Sequence, residues 1–238
     1  MSEQMPSAIF LYLIALGLTE AAVSVTCRQP GLVSLTFDYG PGYLTGRLLD
    51  ILQHKNIKAT FHVNADLMRN TTLVEYVRRA AFEKHTIGLF VPDGLVAESN
   101  EGDEDIWARS VPLFEYVHRG TNWLTTILDG QAPKYIRFGT KRALPQPHRK
   151  AIENLGFTIT KAKLEIRDEN NKMDSIWNSL GRGLANSSPR NNSFIFKQRE
   201  IMPNSVNSVD RIIDYVQEKG YIFVPLEECV PPVIKGKK

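Results

Sequence analysis

One carboxylate in this 238-residue chain sits where chemistry could be done. Asp38 follows an apolar, β-branched stretch, residues 31–37 (GLVSLTF), and precedes Tyr39-Gly40-Pro41-Gly42, a turn signal. A carboxylate at the end of a strand can take a proton from water as a general base. It can equally do no more than cap the turn through its side chain. The five histidines are the other groups able to ligate a metal or move a proton. His62 falls within the strand-like stretch 58–63 and His85 just before another, where packing is the simpler role. His54, His118 and His148 fall in helical or loop stretches and are expected at the surface. There is no H-E-x-x-H, no C-x-x-C and no phosphate-cradling turn, because Gly181-Arg182-Gly183 lacks a preceding strand. Trp107, Trp123 and Trp177 could stack on sugar rings, but core packing is expected for at least two.

The elements that must position these groups follow from periodicity. Residues 31–37, 58–63, 86–91, 134–138, 157–163, 193–197 and 221–224 read as strands. Residues 45–54, 72–84, 146–154, 175–185 and 206–219 read as helices, and 103–129 as one or two more. Strand and helix alternate throughout, which implies parallel strands joined by helical crossovers in one α/β domain. About seven repeats fit a (β/α) barrel, and an open doubly wound sheet is the alternative. Either way ligands collect at the C-terminal strand ends, where the Asp38 turn lies.

Composition is ordinary for a globular chain, with 42% hydrophobic and 23% charged residues. The net charge of +3, from 29 basic and 26 acidic residues, gives no argument for nucleic acid. Residues 9–18 form an uncharged apolar run, shorter than the roughly 20 residues a membrane span needs, with small residues after it. That layout predicts a signal peptide over 1–24, a secreted domain over 25–238 and no stable membrane anchor. The flank before the run lacks Lys and Arg, and a buried first element is the competing reading. Cys27 and Cys229, the only cysteines, suit one disulfide fastening the ends of a secreted chain, or else two buried thiols. Asn70, Asn186 and Asn191 each begin an Asn-x-Ser/Thr sequon, so a glycoprotein is expected.

Thr36-Phe37-Asp38-Tyr39-Gly40-Pro41 resembles the T-F-D-D-G-P motif of the polysaccharide deacetylases, the family of chitin and peptidoglycan deacetylases. Lys58-Ala59-Thr60-Phe61-His62-Val63 is similar to that family's K-A-T-F-F-V strand, and His85-Thr86-Ile87-Gly88 to its H-E-I-G stretch. The segment from Ile212 to Leu226 resembles its closing helix and strand. The resemblance implies a distorted (β/α) barrel with fewer than eight repeats. It also implies hydrolysis of N-acetyl amides with a divalent metal, usually zinc, a base that activates water and an acid that protonates the amine.

Carried over position by position, the resemblance keeps Asp38 as the base and Arg137 as its orienting partner. The metal Asp becomes Tyr39, and the two metal His fall on Phe90 and Gly94. The motif around Arg137 continues Phe138-Gly139-Thr140 rather than to a proline and an aromatic residue. The late acid His is read at Lys197. With these ligands replaced, no metal and no other cofactor is expected, because the remaining side chains lack the charge to hold zinc. The expectation is a secreted deacetylase-like protein without deacetylase activity. Asp38 and Arg137 would be vestigial, Tyr39, Phe90 and Phe138 would contact ligand, and chitin or another N-acetylated glycan would be the partner. The alternative is a divergent chitooligosaccharide N-deacetylase with a rebuilt site using Asp38 with His62 or His85.

Overall fold

The computed structural model describes residues 23–96, 106–140 and 143–232. Residues 1–22, most of the expected signal peptide, and 103–105 of the long helical stretch lie outside the described residues. The chain runs β1 (Leu32–Gly40), α1 (Thr45–His54), β2 (Thr60–Asn64), α2 (Thr71–Phe82), β3 (Thr86–Val91), α3 (Ile106–Arg109), α4 (Val111–Ile127), β4 (Tyr135–Phe138) and α5 (Gln146–Asn154). It continues with β5 (Thr158–Ile159), β6 (Leu164–Glu165), α6 (Met173–Leu184), β7 (Phe194–Arg199), α7 (Pro203–Glu218), β8 (Ile222–Phe223) and α8 (Leu226–Cys229). A 3-10 turn, Ala65–Arg69, joins β2 to α2.

Every strand pairing is parallel, in the order β5-β4-β3-β2-β1-β7-β6, with β8 added to β1. The sheet curls. Arg137 of β4 reaches Thr36 and Asp38 of β1, although β2 and β3 lie between them in the sheet. The architecture is therefore a distorted (β/α) barrel with no β5–β6 pairing among the described residues. Of the expected strand 157–163 only Thr158–Ile159 forms a strand, β5, which pairs β4; β6 begins just beyond it at Leu164 and pairs β7.

Alternation along β1 explains how the barrel is built. Val33, Leu35 and Phe37 join the main core with Leu48, Leu49 and Leu52 of α1 and Val209, Ile212 and Ile213 of α7. Thr36 and Asp38 face the other way, into the barrel. A smaller apolar cluster of Tyr135, Ile195, Leu226 and Val230 includes Cys27 and Cys229, which form a disulfide across a separation of 202 residues. Ser24 bridges Thr160, so the chain is paired with the sheet from that point. Asn70 caps α2, its side chain accepting from the backbone N–H of Thr72 and Leu73. Among the described residues no helix is long and apolar enough to cross a membrane.

Two expectations about single residues fail. His148 is buried, not at the surface, because it shares the inward face of α5 with Ile152 and lies 4.6 Å from the Trp107 ring. Trp107 and Trp123 are 47% and 45% exposed, so only Trp177 packs against the core.

Candidate functional site

Asp38 is completely buried near the C-terminal end of β1. Its Oδ1 meets His62 Nδ1 at 2.9 Å and Arg137 Nη1 at 3.4 Å. Arg137 also donates to Thr36 Oγ1 at 2.5 Å and Thr160 Oγ1 at 3.4 Å. Gly88 makes room for this network, since a Cβ there would stand 2.8 Å from His62 Cδ2. Burial pushes the Asp38 carboxyl up, but the Arg137 guanidinium and the His62 hydrogen bond outweigh it and leave the group below its ordinary value. Burial, reinforced by Arg137, pushes His62 down to about 4. At neutral pH the pair is thus an ionised carboxylate accepting from a neutral imidazole, whose Nδ1 carries the proton.

The next residue sets the character of the mouth. Tyr39 has φ +70°, a left-handed conformation that is rare for a bulky side chain. Its ring lies 4.5 Å from the ring of Phe90, which is itself fully buried. The Arg199 guanidinium lies 4.9 Å from the Tyr39 ring centroid. Burial, with the Asp93 carboxylate nearby, raises the Tyr39 phenol above its ordinary value. Arg199 is in turn held by Asp168 at 2.7 Å and Glu169 at 3.2 Å. Glu200 completes the mouth. It is buried, accepts from Thr45 Oγ1, and lies where a Cβ on Gly40 would fall 1.8 Å from its Oε1.

Residues 26–91 match the family profile described as polysaccharide deacetylase. A chitin deacetylase of Colletotrichum lindemuthianum is 29% identical over 214 residues, spanning 86% of this chain and 81% of its own. The solved structure of the chitin deacetylase from that fungal pathogen superposes with a TM-score of 0.77 at 27% identity, covering 90% of this chain and 93% of that one. In sequence and fold the chain is similar to the polysaccharide deacetylases. A CE4 family pseudoenzyme from Bacillus anthracis has a TM-score of 0.71 at 13% identity, covering 88% of this chain and 69% of that one, and shares the fold alone.

Within the polysaccharide deacetylase barrel, the expected site residues separate into two groups. Asp38, Tyr39, Phe90 and Arg137 come together around one strand-end cluster. Phe138 does not join them. It alternates with Arg137 along β4 and packs against the main core. Phe90 has no exposed surface and lies against the Tyr39 ring. His85 belongs elsewhere, its Nδ1 accepting from the Ala59 backbone N–H at 3.0 Å.

Three residues of the cluster went unread in the sequence: Arg199, Asp168 and Glu200. The expected strand ended at Lys197, but β7 continues through Arg199, which is in register with Asp38. Lys197 lies further into the barrel, opposite Thr36 and 3.5 Å from Glu165. The residue at the mouth beside the base is therefore Arg199, not Lys197. The alternation Ile195, Lys197, Arg199 along the strand was the available signal.

The donor set does not fit the family's metal. Tyr39, Phe90 and Gly94 offer one protonated phenol and no carboxylate or imidazole, and a guanidinium already lies against the phenol. Among the described residues Asp38 Oδ2 and His62 Nε2 have no hydrogen-bond partner, but they are two donors beside the Arg137 cation, and a zinc site needs three or four ligands. Among the described residues no three His, Cys, Asp or Glu side chains gather to hold a metal.

Proposed function

We propose that this chain is a secreted member of the polysaccharide deacetylase family that has lost hydrolytic activity and kept the barrel as a carbohydrate-binding, wall-associated module. Its partner would be chitin or another N-acetylated glycan, the class on which its chitin deacetylase relative acts by name. The observation that carries this reading is the state of Asp38, which is wholly buried and committed to His62 and Arg137. Both partners engage Asp38 Oδ1, and its Oδ2, though without a partner among the described residues, has no exposed surface. Asn186 and Asn191 are exposed and fit the glycoprotein expectation, whereas Asn70 is engaged in capping α2. The disulfide suits an oxidising compartment.

The test uses the full chain supplied with zinc or cobalt, incubated with chitopentaose, with acetate release as the readout. The expected result is no release above the uncatalysed background, together with saturable binding of the oligomer in calorimetry. Turnover abolished by a chelator, with one metal ion per chain, would overturn the reading. That outcome would favour the rival, a deacetylase with a rebuilt site. The rival's one structural support is the 2.9 Å contact between Asp38 and His62.

A further inference from the structure

The least expected group at the mouth is a fixed cation. Arg199 lies in register with Asp38 at the end of β7. Its Nη1 donates to Asp168 Oδ1 at 2.7 Å and Glu169 Oε2 at 3.2 Å, and its backbone N–H donates to Asp168 Oδ2 at 2.5 Å. One face of the guanidinium lies against the Tyr39 ring, 4.9 Å from its centroid. Asp168, which anchors it, is fully buried. A guanidinium carries five N–H donors in one plane. Here the carboxylates engage the Nη1 corner, and among the described residues no carboxylate reaches Nε or Nη2. The side chain keeps 18% of its surface exposed. The fork is held by two carboxylates and by the Tyr39 phenol, yet keeps part of its surface toward solvent, an arrangement that favours an incoming acceptor oxygen because much of the ordering cost is already met.

The surroundings suit a sugar ring beside that acceptor. Tyr43, in the loop that follows Tyr39, is 78% exposed. Ile201, 40% exposed, lies against the same loop, where a Cβ on Gly42 would come within 2.9 Å of it.

We infer that Arg199 is the residue through which the mouth recognises an N-acetylated glycan, donating from Nε or Nη2 to the acetamide carbonyl oxygen. The inference rests on the glycan-binding reading above and adds the group recognised and the residue that recognises it. The chemistry discriminates between glycans. An acetamide presents a neutral carbonyl acceptor. The amine of a deacetylated sugar is protonated at neutral pH, has no lone pair to offer and is repelled by the guanidinium. A glycan without nitrogen has only hydroxyls at that position. Asp93, whose carboxylate acts on Tyr39, and Glu169 are the groups near the mouth that would draw an amine, so the preference must exceed their attraction.

The experiment is calorimetric titration of the full chain with chitotetraose, its fully deacetylated counterpart and cellotetraose. Chitotetraose is expected to bind at least about tenfold more tightly than either, the order of one charge-assisted hydrogen bond. Arg199→Met combined with Asp168→Asn, which avoids leaving a buried carboxylate unpaired, is expected to remove the preference. Arg199→Lys, which keeps the charge but not the fork, is expected to retain only part of it. Equal affinity for all three oligomers, or a preference that survives in the double variant, overturns the inference while leaving glycan binding intact. Binding of none of the three overturns the glycan-binding reading itself, and this inference with it. Should the double variant fail to fold, the comparison of oligomers on the unmodified chain and the Arg199→Lys variant still decide.

Discussion

Glu200 gives the sharpest physical test of how dry the barrel mouth is. The residue is 1% exposed, its Oε2 accepts from Thr45, and its Oε1 has no partner among the described residues. Burial, with Asp38 nearby, pushes its carboxyl up to about 8. The unfolded chain releases this proton near the ordinary value of 4.5, whereas the folded chain holds it until about 8. Between those limits the folded state binds one more proton, so this group lowers stability as pH rises, by about 1.4 kcal/mol per unit. From pH 5.5 to 7.5 the loss is about 2–3 kcal/mol by the same relation. Glu200→Gln has the same shape and cannot ionise. Urea unfolding of both proteins across pH 5.5–8.5 isolates the effect, since every other group titrates alike in each. The advantage of the variant should grow by about 2–3 kcal/mol over the first two pH units and level off above roughly pH 8. His62 and His85, each lowered to about 4 chiefly by burial, act in the opposite sense, costing stability as pH falls from 6.5 toward 4. They do so in both proteins and cancel in the difference. A pH-independent difference would mean that Glu200 is ionised in the folded chain, and the picture of a sealed mouth would be wrong.

Three other substitutions probe the same framework. Arg137→Met strands the buried Asp38 carboxylate with only His62, and should cost about 3–5 kcal/mol. Adding Asp38→Asn should recover part of that loss, and denaturant midpoints would expose the error if the single variant were nearly neutral. Tyr39→Asp restores one carboxylate to the family motif, yet the new group would face the Arg199 guanidinium and find no ligand at Phe90 or Gly94. Elemental analysis should therefore show no stoichiometric zinc, and one zinc per chain would contradict the donor argument. Cys27→Ser with Cys229→Ser opens a loop of 202 residues and should cost about 2–5 kcal/mol, with reductant doing the same to the unmodified chain.

How much of this was legible in the sequence depends on where each residue's neighbours lie. β3, α1 and α5 have the bounds that periodicity predicts, because their buried faces repeat at strand or helix spacing within the segment. Asp38 and Arg137 could be paired because the family resemblance carried each over in its own motif. The break between β5 and β6 was only half legible: the alternation of Phe157 and Ile159 stops at Lys161, but the short β6 at Leu164–Glu165 is defined only by its pairing to β7. Arg199 and Glu200 were missed for a related reason. A strand ending in Lys-Gln-Arg-Glu looks like a solvated loop until the barrel closes around it, after which Glu200 is buried and Arg199 is clamped.

The mouth is repacked as a unit. Tyr39 lies on Phe90, and Phe90 fits only because Gly139 has no Cβ, which would stand 2.9 Å from its Cζ. Arg199 covers Tyr39 and is itself held by Asp168, whose burial is tolerable only with that partner. Each replacement supports the next, so reverting one residue leaves the others pressing against it. On the proposed reading, the place of the family's metal is therefore filled rather than open. Restoring a ligand set would require removing the aromatic pair and the guanidinium together, since any one of them left in place occupies the volume or supplies the charge that an ion would need.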